Sequence, residues 1–310
     1  MRKTFLILLI VSVSIKSFAQ KDNTSLIAKI SLQVIDNKYL LFDAVIANDT
    51  LVFYFDTGAA TSLIDTNSAK RLGIKANHEQ TIQGAGGTKA YRVATGQKLS
   101  INTIELDNVN LVFEDLTRLK EALKAPFDGI IGYSLINEYV TEIDYLQKEI
   151  RLYSDTSNFN LSEYSEHNFS FSNGIPIPQF EIEIVLNNDE VLKGEILFDS
   201  GAGLNLLMNT PFKEQHKIVE KSESIKTVAT NNLSKTSNSQ QVLIKSLNMG
   251  NYRFENLQIG LSADTSGVSA MDNYLGILGA EIIKYFDVIL DYSKQTLYMK
   301  PNELYNTKNN

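Results

Sequence analysis

The sequence predicts an all-β protein, with a few short helices, built as two similar lobes around an internal pseudo-two-fold axis. Three observations predict it. Short stretches of alternating apolar and polar residues recur with Asn-, Asp- and Gly-rich turns between them. One phrase, an apolar strand ending in Asp, a hydroxyl residue, Gly and Ala, occurs twice, at Leu51-Val-Phe-Tyr-Phe-Asp-Thr-Gly-Ala and at Glu195-Ile-Leu-Phe-Asp-Ser-Gly-Ala. Later landmarks return at a near-constant spacing, 143 residues from Asp56 to Asp199 and 147 from Gly132 to Gly279. A spacing held over several landmarks points to one duplication.

The elements follow in order. Residues 1–19 read as a cleaved export signal: Arg2 and Lys3 precede an apolar run from Phe5 to Ile15, and Ser17 and Ala19 are small residues where a signal peptidase reads. The run is too short for a comfortable membrane span and nothing later approaches one. The expectation is an exported protein, periplasmic or secreted, that starts near Gln20 and has no stable membrane insertion after cleavage. The first lobe is assigned to residues 20–153, a Ser-, Asn- and Glu-rich linker to 154–168, the second lobe to 169–302 and a polar tail to 303–310.

Within each lobe the acid phrase closes a hairpin. Residues 39–55 turn at Asn48-Asp-Thr50, and residues 180–198 turn at Asn187-Asn-Asp189. A short helix-like stretch follows each acid, at 67–73 and 210–216. Residues 99–113 then match 247–261, 127–136 match 274–283, and the tails 140–145 and 287–292 each lead into a strand.

The composition narrows the function. An apolar fraction of 43% suits a packed protein rather than a disordered one, and a formal charge of −7 without a basic stripe argues against a nucleic-acid partner. With no cysteine there is neither a disulfide nor a thiol nucleophile, and the three histidines lack ligand-like spacing. No metal or other cofactor is expected, and the chain is expected to act as a monomer.

Two equivalent acids beside a two-fold axis meet face to face. Like charges about 4 Å apart repel by roughly 4 kcal/mol at an effective dielectric near 20. At about 1.4 kcal/mol per pKa unit, the two proton affinities then separate by roughly three units. One proton is shared across a wide pH range, so one acid is a base while the other is an acid. That pair can activate water against a carbonyl with no metal and no covalent intermediate.

Asp56-Thr-Gly-Ala and Asp199-Ser-Gly-Ala, each with a later apolar-apolar-Gly element (Ile130-Ile-Gly132 and Ile277-Leu-Gly279), resemble the signature of aspartic proteases. Over nearly the whole mature chain the sequence is most similar to exported bacterial retropepsin-like proteins carrying both lobes on one chain. The resemblance implies a two-lobed pepsin/retropepsin-like fold and an aspartic endopeptidase acting on an extended peptide or protein substrate. It implies Asp56 and Asp199 as the catalytic dyad, and Thr57 and Ser200 as an interlocking hydroxyl pair. Gly58 and Gly201 would turn tightly behind the acids, with Gly132 and Gly279 packed beneath. A flap would close over the substrate, its tip at Gly84, Ala85, Gly86 and Gly87. In the second lobe, residues 227–238 read as a polar loop, which leaves one flap or two open.

Two rivals are weaker. A catalytically silent protein could hold a peptide or small ligand in the same cleft, but it has no need of two mutually repelling carboxylates. A serine hydrolase fails because Gly132-Tyr-Ser134 lacks the closing Gly of a nucleophile elbow, with Ile136 in its place.

Overall fold

The computed structural model describes residues 25–309, except 85–86, 173, 223–224 and 232–235. The expected export signal, Ala85 and Gly86 lie outside the described residues. Among these the fold is mainly β, with two eight-stranded sheets, a six-stranded sheet and short helices. No helix among them is long and apolar enough to cross a membrane.

The first eight-stranded sheet runs Gln33–Ile35, Tyr39–Ile46, Asp49–Phe55, Gly129–Ile131, Ser62–Asp65, Ile104–Glu114, Gly87–Ile101, His78–Gly84. The second runs Ser170–Ser172, Ile175–Val185, Val191–Asp199, Gly276–Gly279, Leu206–Met208, Tyr252–Leu261, Thr236–Met249, Ile225–Asn231. The orders correspond strand for strand and in sense. Each acid-bearing strand runs parallel to its glycine strand, Asp49–Phe55 to Gly129–Ile131 and Val191–Asp199 to Gly276–Gly279. The duplication read from spacing is therefore a duplication of topology.

Local chemistry sets the hairpins. The first turns through Ala47 and Asn48, both left-handed (φ 51° and 65°), which pairs Ile46 with Asp49 and matches the twist of the flanking strands. Along Tyr39–Ile46 the later residues alternate buried and exposed, so Phe42, Ala44 and Ile46 face the core. Phe53, Phe55, Phe198, Phe254 and Phe286 are fully buried, each contributing about 2–3 kcal/mol of burial.

The six-stranded sheet joins the lobes in the order Leu26–Ser31, Glu149–Tyr153, Val140–Asp144, Phe286–Asp291, Thr296–Pro301, Ser165–Asn168. At its centre Glu142 lies opposite Ile289, its own counterpart at the 147-residue spacing, with Thr141 opposite Leu290 and Ile143 opposite Val288. The pseudo-two-fold axis passes through that pair. The flanking hairpins turn through left-handed residues at matched places, Lys148 and Gln295.

The structure differs from the sequence reading in three places. Where a polar loop is read at 227–238, Ile225–Asn231 is a strand that pairs with residues 236–242 of Thr236–Met249. Ile225, Lys226 and Thr227 are all exposed, so the start of this strand carries no alternating hydrophobic signal. Within the 154–168 linker, Ser165–Asn168 is a strand bound to Thr296–Pro301. The polar tail is the helix Glu303–Asn309, docked through Tyr305 against Tyr252, Phe254 and Phe286 at ring separations of 5.9, 5.4 and 5.6 Å.

Candidate active site

Both acids leave their sheets at the same point. Asp56 follows Asp49–Phe55 and its N–H donates to Ile131 O at 3.0 Å; Asp199 ends Val191–Asp199. The turn after each acid rests on the matched glycine. A Cβ at Gly132 would stand 1.9 Å from Asp56 O, and one at Gly279 would stand 2.3 Å from Leu204 O and 2.4 Å from Ala202 O. Only glycine lets those backbones approach. Past each glycine an N–H pins the loop, Tyr133 to Ala59 O at 3.0 Å and Ala280 to Ala202 O at 2.7 Å.

The two loops interlock. Thr57 N–H donates to Ser200 Oγ at 3.1 Å, and Ser200 N–H donates to Thr57 Oγ1 at 2.9 Å. Thr57 Oγ1 donates in turn to Phe198 O at 2.9 Å. Both side chains are buried, so these bonds face no competition from water. Above them the Asp56 and Asp199 carboxyls share a side-chain hydrogen bond. Each carboxyl lies over the other loop's glycine: a Cβ on Gly201 would be 2.3 Å from Asp56 Cγ, and one on Gly58 would be 2.4 Å from Asp199 Cγ. Both acids keep partial solvent exposure.

Residues 42–135, which hold the first acid loop and the Gly132 element, match a family model described as aspartyl protease. Over that stretch the first lobe is similar to aspartyl proteases. A 100-residue stretch, 32% of the chain, is 35% identical to the retrovirus-related Pol polyprotein from transposon 412 of Drosophila melanogaster. The chain spans only 8% of that relative's length. The second lobe repeats the first lobe's strand order through the internal symmetry described above.

The acid pair is electrostatically unequal. Asp56 accepts from Gly58 N–H at 2.7 Å and its ionised form is also favoured by the Gly201 N–H, whereas Asp199 accepts from Gly201 N–H at 2.8 Å and from Ala202 N–H at 3.0 Å. Burial pushes the Asp56 carboxyl well above the usual range, and the Asp199 charge adds to the shift. Asp199 is raised too, again by burial, while its bonds to Asp56, Gly201 and Ala202 pull it back. The shared proton accordingly sits on Asp56 and the charge on Asp199.

A carboxyl raised in the folded state binds more protons there than in the unfolded chain, so stability falls as pH rises from the unfolded value toward the folded one. Asp56→Asn removes that penalty. Thermal unfolding should find Asp56→Asn more stable than wild type by about 1–2 kcal/mol at neutral pH. The gap should close as pH falls below about 4, the ordinary aspartate value; a gap independent of pH would contradict the shift.

At the first hairpin tip Gly84 pairs with Gly87, and Gly87 is left-handed (φ 115°). A Cβ there would lie 3.4 Å from Ser266 Oγ, so the tip of this arm meets the second lobe. The hairpin at 225–249 is its counterpart, giving each lobe an arm. One residue escaped the sequence reading. Tyr54, two places before Asp56, donates its hydroxyl to Gly201 O at 2.8 Å. In the sequence it is one more apolar strand residue, and only a lone hydroxyl beside the acid phrase marks it.

Proposed function

We propose that the chain is an aspartic endopeptidase that hydrolyses extended peptide segments lying across the two lobes. The observation that carries the reading is the hydrogen-bonded Asp56–Asp199 pair held between interlocked loops. Water between the carboxyls gives a proton to ionised Asp199 and attacks the peptide carbonyl. Protonated Asp56 donates to the carbonyl oxygen to give a gem-diol; as the C–N bond breaks, the proton gained by Asp199 goes to the leaving amine and a diol hydroxyl returns its proton to Asp56. Electrons and protons balance with no metal and no acyl-enzyme.

Thr57 and Ser200 fix the loop spacing; Gly58, Gly201, Gly132 and Gly279 allow the close approach. The Gly84–Gly87 tip serves as a flap over bound peptide, and strand-like main-chain hydrogen bonds along the cleft supply sequence-tolerant binding. Both acids come from one chain, which supports a monomer. Export to the periplasm or medium is part of the proposal and rests on residues 1–19. A silent binding protein is disfavoured because two repelling carboxylates in one buried site cost stability that binding alone does not repay.

Incubating the mature protein with a diverse peptide library across pH tests the proposal. Rate should follow a bell whose limbs report the pair. Ala59 and Ala202 offer no hydroxyl to hold down the ionised pair, so the optimum should be weakly acidic. Ser at both positions should move the bell to lower pH. A bell that stays in place would overturn this account of the tuning and leave the pair intact. No cleavage at any pH would overturn the proposal.

A further inference from the structure

We infer that Tyr54 is a positioning residue that makes the two acids unequal by holding the charge of the singly ionised pair on Asp199. The inference rests on the proposed use of that pair for hydrolysis. The Tyr54 hydroxyl donates to the Gly201 carbonyl at 2.8 Å. That carbonyl belongs to the same peptide group as the Ala202 N–H, which donates to Asp199 Oδ1 at 3.0 Å. A donor on the oxygen polarises the amide and strengthens its N–H as a donor, so hydroxyl, peptide and carboxylate act as one cooperative chain. A charge-assisted bond at the end of that chain favours the ionised carboxyl.

The first lobe has no such chain. Ala59 N–H donates to the Asp56 main-chain carbonyl at 3.0 Å and not to its carboxyl, whereas Ala202 N–H is shared between the Asp199 carboxyl at 3.0 Å and its main-chain carbonyl at 3.3 Å. The residue matching Tyr54 at the 143-residue spacing is Leu197, which has no donor. Two near-identical loops thus end in different electrostatics because of one hydroxyl. The hydroxyl is well fixed: Tyr54 is 1% exposed and its ring packs between Tyr39 and Phe127, at 6.0 and 5.6 Å.

The other ionisable groups do not supply the difference. Tyr145 also faces Asp199, but burial pushes its phenol up and keeps it neutral. Tyr39 touches Tyr54, and the charges beyond it, Asp36, Lys38 and Glu281, act on Tyr39; the last two are paired with each other at 2.5 Å.

The sign of the effect on pH follows. With the charge on Asp199, Tyr54 stabilises the singly and doubly ionised pair alike. Loss of the hydroxyl therefore raises the lower of the two apparent pKa values and leaves the upper one in place. Carboxyl NMR of the mature protein labelled with 13C at aspartate reads both steps without any turnover. In Tyr54→Phe the lower step should rise by about half a pH unit, with the upper step unmoved. In peptide cleavage the acid limb should move with it, kcat falling a few-fold and KM holding.

A folded variant in which neither step moves would reduce Tyr54 to packing and overturn the inference. A shift of the upper step alone would place the charge on Asp56 and overturn it too. If the variant does not fold, the wild-type spectra still decide: Asp199 should ionise first, and Asp56 ionising first contradicts the inference. A protein that titrates as expected but cuts no peptide keeps the Tyr54 assignment and removes the protease reading.

Discussion

Asp56→Asn and Asp199→Asn are each expected to reduce peptide cleavage by about a thousandfold or more, and the double variant to lose little beyond either one. In the proposed reaction base and acid act together. Asn keeps the shape of the carboxyl but cannot take up the water proton at 199 or deliver one from 56. Steady-state rates on a peptide that the wild type cuts would measure this, beside thermal unfolding to show that each variant is folded. The Gly58 and Gly201 N–H donors that hold the carboxyls can also bond the Asn amide oxygen, so the fold should survive. Independent, additive losses at the two positions would mean that the carboxyls do not work as a unit.

The second large effect is structural. Gly132→Ala should cost about 3 kcal/mol or more, because backbone atoms meet the new methyl and overpacking against backbone has no cheap relaxation. The added Cβ would stand 1.9 Å from Asp56 O and 2.9 Å from Ala59 O. Asp56 is itself tied to Ile131 O, so the acid loop can give way only by displacing the carboxyl. Gly279→Ala meets Leu204 O and Ala202 O in the same manner and should behave alike. Denaturant unfolding and activity would be lost together. If either alanine variant kept wild-type stability, the close packing under the acid loops would not be what fixes the pair.

Some of this was legible in the residues and some was not. The acids, their hydroxyl neighbours and the supporting glycines could be found because duplication writes each of them twice, at spacings that chance does not keep. The correspondence of the two lobes followed from the same repeat. The paired strands Ile225–Asn231 and Thr236–Met249 could not be read, since residues 227–238 carry Thr, Ser and Asn where a half-buried strand would alternate. The terminal helix was hidden because Leu304 and Tyr305 stand alone in an otherwise polar segment, too short to show a helical period. Tyr54 was invisible for the opposite reason. Its ring fits an apolar strand so well that the hydroxyl needs the structure to show where it points.

The most direct test of the central claim is mass spectrometry of a peptide library digested by the mature protein in H2(18)O at weakly acidic pH. If water held between Asp56 and Asp199 is the nucleophile, internal cuts will appear, the new C-termini will carry one 18O each, and Asp199→Asn will leave the library whole. An intact library with the wild-type protein, or cuts that persist undiminished in Asp199→Asn, would contradict the account.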